Sequence, residues 1–124
     1  MPSILFIHTN FPAQFGFLGT RLARAGWDVA YATRRQDAAS SAMRIIRFPE
    51  GRGVTEGIHP YLANSEQAVI TGQQAARVLI AEREKGYRPD IVMAHSGWGA
   101  GLFVPDIFPE AVFIPYVEWW YNYP

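Results

Sequence analysis

The chain has 124 residues, of which 49% are hydrophobic and 18% are charged, which is enough for one globular domain with a buried core. Its 11 basic residues balance 11 acidic residues, and this balance argues against the concentrated basic surface of a general nucleic-acid binder. Cysteine is absent, which excludes disulfides and thiolate chemistry, and no apolar run approaches the roughly 20 residues that span a bilayer. We therefore expect a soluble cytoplasmic protein, with a peripheral contact to the membrane surface as an alternative.

The N-terminal third of the chain predicts a strand, a helix and a second strand. The run from Ile4 to Ile7 is short and continuously apolar, as in strands that are buried on both faces of a parallel sheet. A helix is predicted from 14 to 25 and a second strand from 27 to 33. Apolar residues recur at helical spacing and predict the helix face that packs on the sheet, which consists of Phe15, Leu18, Leu22 and Ala25.

The middle of the chain predicts an edge strand and a long helix. A third strand is predicted from 43 to 48, and its mixed pattern favours a position near the edge of the sheet. The polar connection before it is short for a crossover helix, whereas the loop from 49 to 60 is long and rich in glycine and proline. A helix is predicted from 62 to 85, with a stripe at helical spacing that consists of Leu62, Val69, Ala76, Leu79, Ile80 and Arg83.

The C-terminal part of the chain predicts two more strands, from 91 to 94 and from 111 to 115. Between them a short helix is predicted from 98 to 108, broken near Pro105. Strands that alternate with helices form a mostly parallel sheet with helices on both faces. We therefore predict an α/β fold over residues 1–124, namely a single Rossmann-like three-layer α/β/α domain with a sheet of about five strands.

Polar side chains collect where the predicted strands end. Because ligands of open parallel sheets bind at the carboxyl ends of the strands, these residues are the candidates for a site. They include two histidines, one acid and two arginines, which are His8, Arg34, Arg35, His95 and Glu118. The glycine motifs of dinucleotide and P-loop sites are absent. Three scattered histidines without cysteine make a poor metal site, so we expect no metal.

Two stretches resemble the N-terminal domain of group-4 glycosyltransferases (group 1 type), enzymes of the GT-B architecture with two Rossmann-like halves. The first is ILFIHTNFPAQFGFLGTRLARAGWDVAYAT, and the second is RPDIVMAHSGWGAGLFVPDIFPEAVFIPYVEWWY. In the second stretch a strand ends in histidine, a Gly-Trp-Gly turn opens a helix, and the next strand leads into an acidic and aromatic segment. Many relatives carry a glycine pair after the first strand, where this chain has Asn10-Phe11-Pro12.

The resemblance implies that the complete enzyme transfers a sugar from a nucleotide-diphosphate donor to a carbohydrate or lipid acceptor. It also implies action without a metal or other cofactor, since the nucleotide sugar is a substrate. The chain then corresponds to the acceptor-side half, and the C-terminal donor-binding domain is absent from it. We expect Trp119 and Trp120 to contact that domain, and we expect the isolated chain to be inactive.

The resemblance and the strand-end positions together assign roles to individual residues. The expected catalytic residues are His95, which hydrogen-bonds the donor, and Glu118, which hydrogen-bonds acceptor hydroxyls. The expected substrate-binding residues are His8, Asn10, Gly97, Trp98, Gly99 and Tyr121. A further anion site at the start of the first helix would comprise Gln14, Phe15, Gly16 and Arg34.

Several alternatives remain open at the level of the sequence. Trp98 is as consistent with core packing as with stacking on a sugar, and His8 is consistent with packing under the first helix. For the whole chain, one alternative is a free-standing flavodoxin-like module that binds a small molecule. Two others are half of a sugar-nucleotide epimerase and a structural role in oligomer assembly through the aromatic C-terminal end.

Overall fold

A five-stranded sheet lies at the centre of the computed structural model, which describes residues 1–118. The strands are β1 (Ser3–Ile7), β2 (Asp28–Thr33), β3 (Arg44–Arg47), β4 (Ile91–His95) and β5 (Val112–Tyr116). They lie in the order β3-β2-β1-β4-β5, and every neighbouring pair is parallel. The predicted Rossmann-like α/β fold is therefore confirmed.

Helices cover both faces of the sheet, as predicted. On one face lies α1 (Phe15–Arg24), and on the other lie α2 (Ala63–Glu84) and α3 (Val104–Ile107). A 3-10 turn, Pro60–Leu62, leads directly into α2. The short connection between β2 and β3, residues 34–43, crosses between these parallel strands without a helix.

The two faces of β1 contribute to two separate cores, because successive side chains of a strand point to opposite sides. Leu5 and Ile7 pack on the face that α2 and α3 cover, whereas Ile4 and Phe6 pack on the face that α1 covers. All four side chains are at most 3% exposed. The continuous apolar run at the start of the chain is therefore the central strand. The edge position of β3, which its mixed pattern favoured, is confirmed as well.

The predicted packing face of α1 is wrong in part. Phe15 is buried as expected, but Leu18 and Ala25 are exposed, and Gly19 is buried in their place. A Cβ on Gly19 would lie only 2.4 Å from the sulfur of Met43. The helix therefore meets the sheet through a residue without a side chain. A pattern of apolar side chains does not register such a contact.

The predicted stripe of α2 is wrong at half of its six positions. Leu62, Val69 and Ile80 are exposed. The buried residues of this helix are Ile70, Thr71, Gly72, Ala75 and Leu79. The helix thus carries two apolar stripes, and the one with smaller residues packs inward. Helical spacing led to the first stripe, of which only Leu79 is fully buried, because spacing alone does not select the stripe that packs inward.

The helix between β4 and β5 is shorter than predicted. Residues 96–103 form bends and turns, and only Val104–Ile107 is helical. Pro105 lies in the first turn of α3. A proline is tolerated there, because the first N–H groups of a helix have no partner within the helix. The expected break near Pro105 is therefore the start of the helix.

The strand order places a topological switch point between β1 and β4. The chain leaves β1 towards β2 and β3, and it then returns through α2 to β4 on the other side of β1. In open α/β sheets such a reversal opens a crevice at the carboxyl ends of the strands, where ligands bind. His8 follows β1 and His95 ends β4, so both histidines stand at this crevice.

Candidate active site

Two buried histidines lie side by side at the switch point. Only 5% of His8 and 6% of His95 is exposed, and their ring centroids are 4.5 Å apart. Phe15 of α1 lies against His8, and Tyr116 of β5 lies beside His95. The sheet therefore brings together the two histidines that the sequence placed at strand ends.

A backbone N–H selects the tautomer of each neutral imidazole ring. The N–H of Asn10 donates to Nδ1 of His8 at 2.9 Å, and the N–H of Gly97 donates to Nδ1 of His95 at 3.0 Å. Because a backbone N–H can only donate, Nδ1 must accept, and the neutral ring carries its proton on Nε2. Both histidines therefore present an Nε2–H donor.

The two Nε2–H groups have different partners. His8 donates to Oε1 of Gln14 at 2.9 Å, and His95 donates to Oε2 of Glu118 at 2.9 Å. Gln14 belongs to the loop before α1, whereas Glu118 follows β5 and keeps 39% of its side chain exposed. The two expected catalytic residues, His95 and Glu118, are thus in direct contact. Their role in catalysis stays a prediction.

The surroundings of His8 favour its neutral form. Burial lowers the pKa of His8 below its ordinary value of 6.5, and the neighbouring His95 lowers it further. The hydrogen bond with Gln14 and the carboxylate of Glu118 raise this pKa, but both effects are smaller. A neutral His8 is also what the hydrogen bond from the Asn10 N–H requires.

Two glycines after β4 allow close contacts that a Cβ would prevent. Gly99 has φ of 82°, and a Cβ on it would lie 2.2 Å from the carbonyl oxygen of Ala68 in α2. A Cβ on Gly97 would lie 3.1 Å from Nδ1 of His95, the atom to which the Gly97 N–H donates. In this structure the close backbone approach that we expected at both glycines is therefore to α2 and to His95. A contact with substrate stays a prediction.

Trp98 projects from the same glycine turn. It is 66% exposed, so the alternative of core packing is wrong. Its φ of 66° lies in the left-handed region, which bulky residues rarely adopt. Backbone strain of this kind concentrates at functional sites, and here it accompanies an indole that faces solvent.

The anion site expected at the start of α1 is not assembled by these contacts. The N–H of Gly16 donates to the carbonyl oxygen of Pro12 at 2.8 Å, and Phe15 is buried against His8. The side chain of Gln14 bonds to His8. Arg34 follows β2, on the far side of β1 from His95. An anion contact by these four residues stays a prediction.

Two further expected site residues lie in different situations. Asn10 is exposed at the crevice, and its carbonyl oxygen accepts a hydrogen bond from the Tyr31 hydroxyl at 2.8 Å. Tyr121, like the expected interface residues Trp119 and Trp120, lies outside the described residues.

One neighbour of the histidines was not among the expected site residues. Tyr116 pairs with His95 in the sheet, and its ring also makes an edge contact with Phe15 at a centroid distance of 5.4 Å. The last strand was predicted to end at Pro115, whereas β5 continues to Tyr116. The period-two spacing of Ile114 and Tyr116 was the available signal, because alternate residues of a strand share a face.

A small cavity lies beside the glycine turn. It measures 230 Å³ and lies between the turn and β5, with His95, Ser96, Leu102 and Phe113 among its lining residues. A larger cavity of 770 Å³ lies between α2 and α3 and is lined by none of the expected site residues. The smaller cavity is therefore the one that bears on the histidine site.

Residues 1–118 contain neither a cluster of metal ligands nor a helix able to span a membrane. No group of three or more His, Asp or Glu side chains is placed to hold a metal ion in this part of the chain. Nor does any helix within it have both the length and the apolar character to cross a membrane.

The fold and the site together define a class, that of Rossmann-like α/β domains with a ligand crevice at the switch point of a parallel sheet. The family model described as the glycosyl transferase family 4 group matches residues 25–124. This match covers most of the chain, so the chain belongs to this family. The matched part includes His95 and Glu118 and begins after His8. No curated protein matches the chain.

Proposed function

We propose that this glycosyltransferase-type domain transfers a sugar from a nucleotide-diphosphate donor to a carbohydrate or lipid acceptor, as part of a complete enzyme. The observation that carries the proposal is the hydrogen bond between His95 and Glu118 at the switch-point crevice of a family member. A histidine and a carboxylate in contact at that position provide both a donor and an acceptor for hydroxyl-rich ligands.

The expected chemistry suits a His95 that carries a proton on Nε2. When the bond between the sugar and the diphosphate breaks, positive charge develops on the sugar and negative charge on the leaving phosphate. The Nε2–H of His95 donates to Glu118 in this structure, and it is able to donate to an oxygen of the sugar or the phosphate when that oxygen replaces Glu118 as its acceptor. Because Nδ1 is engaged by the Gly97 N–H, we assign His95 the role of a hydrogen-bond donor, not of a proton acceptor.

Glu118 and Trp98 suit the acceptor. Glu118 is partly exposed, and its carboxylate has lone pairs beyond the one that His95 uses, so it can accept a hydrogen bond from an acceptor hydroxyl. Such a bond withdraws the proton as the oxygen attacks. Trp98 offers an exposed aromatic face, on which the apolar side of a sugar ring can stack.

We further propose that the nucleotide is held mainly by a second domain, and that Trp119 and Trp120 contact it. This division of labour is supported by the sequence of the loop after β1, which lacks the glycine pattern that cradles a diphosphate in Rossmann-type sites. Transfer is then metal-independent, and residues 1–124 alone do not turn over a sugar nucleotide.

The experiment is an acceptor-dependence assay on the full-length protein that carries this domain. A panel of sugar nucleotides is incubated with and without sugar and lipid acceptors, and the released nucleoside diphosphate is measured. We expect release only with an acceptor, and we expect His95→Ala to reduce it about 100-fold or more, as for other groups that stabilise charge in the transition state.

His59→Ala is the matched control. His59 accepts the N–H of Tyr61 on Nδ1 at 3.1 Å, in the same way as His95 accepts that of Gly97, but it lies in an exposed segment. We expect this variant to retain the wild-type rate. Donor consumption without any acceptor, or an equal loss in both variants, would contradict the proposed function.

A further inference from the structure

We propose that His8 is a positioning residue that acts through Gln14, whose side-chain NH2 group donates to an acceptor oxygen of the substrate. The inference rests on the proposed function and deepens it, because it assigns a polarity to each side of the crevice. On the β1 side the substrate meets a neutral donor, Gln14. On the β4 side it meets an acceptor, Glu118.

The polarity of the β1 side starts at the backbone. The N–H of Asn10 donates to Nδ1 of His8, so the proton of the neutral ring sits on Nε2 and points to Gln14. Only the oxygen of the Gln14 amide can accept that proton. The amide therefore has a single orientation, in which Oε1 is committed to His8 and the NH2 group is left for another partner.

Burial decides which member of this pair meets a ligand. His8 is almost completely buried, whereas Gln14 is exposed at the mouth of the crevice. The buried ring is also protected from reversal. Protonation would place an N–H on Nδ1 opposite the N–H of Asn10, so two donors would face each other. The two hydrogen bonds, from Asn10 to His8 and from His8 to Gln14, therefore keep the same donor-to-acceptor direction.

The β4 side provides the contrast. There the Gly97 N–H donates to His95, and His95 donates to Glu118, a carboxylate that only accepts hydrogen bonds. A ligand that spans the crevice therefore has to present an oxygen without a proton next to Gln14 and a hydroxyl next to Glu118. A phosphate oxygen and a sugar ring oxygen share the first chemistry, and a sugar hydroxyl supplies the second.

The first measurement needs no ligand. Nitrogen-15 NMR of the imidazole rings in residues 1–124 reports which ring nitrogen carries the proton. We expect the proton of His8 on Nε2, both in the wild type and in Gln14→Glu, because the glutamate still offers an acceptor oxygen. A proton on Nδ1 of His8 in the wild type overturns the inference.

The second measurement tests the output. Inorganic pyrophosphate and a neutral hexose are titrated separately, and the side-chain amide signals of Gln14 are followed by NMR. We expect Gln14→Glu to weaken binding of the responsive probe about tenfold or more, because the donor is lost. Gln73→Glu is the matched control, since it makes the same change on an exposed position of α2 and should bind like the wild type.

A response to pyrophosphate identifies a phosphate oxygen as the partner of Gln14, and a response to the hexose identifies a sugar oxygen. If neither probe moves the Gln14 signals, or if Gln14→Glu and Gln73→Glu bind alike, the inference is overturned. Failure of the full-length protein to transfer sugar would remove the proposed function but would leave the His8 tautomer and the probe response unchanged.

Discussion

The carboxyl ends of β1 and β4 hold a histidine ring by the same pair of hydrogen bonds but differ in the side chain that accepts the second bond. Each ends at a buried histidine whose Nδ1 accepts the N–H of the residue two positions later and whose Nε2–H donates to a side-chain oxygen. At β1 that oxygen belongs to an amide, Gln14, and at β4 it belongs to a carboxylate, Glu118. The backbone N–H orients the imidazole ring. The side chain that accepts from Nε2–H then determines which hydrogen-bonding group a ligand meets.

A third histidine shows that the bond from the backbone N–H alone is not a sign of function. His59 accepts the N–H of Tyr61 in the same manner, yet it lies at an exposed turn before α2. What distinguishes His8 and His95 is their meeting across the sheet, at a centroid distance of 4.5 Å. The strand order, and not the local motif, therefore distinguishes the two crevice histidines from His59.

The two ends also differ in how their turns are closed. At β1, a Cβ on Gly16 would lie 2.3 Å from Cβ of Pro12, a residue of the loop itself. At β4, a Cβ on Gly99 would lie within 2.6 Å of three backbone atoms of Ala68, in the second turn of α2. The β1 turn is thus closed on itself, and the β4 turn is closed on α2.

The largest expected effect breaks the β4 closure. We expect Gly99→Ala to lower the free energy of unfolding by about 3 kcal/mol or more, because strain at positive φ adds to a clash with a helix backbone. Gly16→Ala should cost less, since the loop with Pro12 can shift. Urea unfolding measures both, with Gly57→Ala as the control for φ alone, because Gly57 has φ of 80° and no neighbour within 4 Å. Equal losses in Gly99→Ala and Gly57→Ala would disprove the clash.

A smaller effect on stability is expected at Trp98, an exposed residue of the turn after β4. Trp98→Gly removes a large side chain but relieves the strained φ, so we expect stability to change by no more than about 1 kcal/mol. Trp27→Ala, at a partly buried tryptophan packed into the α1 core, should cost more. Thermal unfolding compares the two variants. Transfer activity of the full-length protein should fall in Trp98→Gly, and unchanged activity would argue against sugar stacking.

The smallest effect sharpens the difference between the two partners. Because the pKa of folded His8 lies below the ordinary 6.5, the unfolded chain binds a proton more readily, and stability contributed by neutral His8 is lost as the pH falls below 6.5. Burial and the neighbouring His95 lower the pKa of His8, and Gln14 and Glu118 raise it by less. In Gln14→Glu the new carboxylate raises the pKa of His8, so we expect a smaller loss on acidification.

Urea unfolding from about pH 7.5 to about pH 5 covers the range in which an ordinary histidine titrates. His59→Gln serves as the reference variant, because it removes an exposed histidine outside the crevice. A loss in Gln14→Glu that equals or exceeds that of the wild type would show that the amide partner does not distinguish His8.

Much of the fold was predictable because its signals are local. The apolar run 4–7 identified the buried central strand, and the mixed pattern of 43–48 placed β3 at an edge. The packing faces of α1 and α2 were not predictable from apolar spacing. Gly19 and Gly72 make the close contacts, and a residue without a side chain leaves no mark in a hydrophobic pattern.

The sequence by itself determined the α/β class and the set of polar residues at strand ends, because runs and periods of apolar residues report the burial of each segment. Only the tertiary structure decided that β1 and β4 are neighbours, that His8 touches His95, and that Glu118 reaches His95 from β5. The order of the strands and the face that each helix buries are set by packing between segments far apart in the chain. No local sequence pattern encodes them.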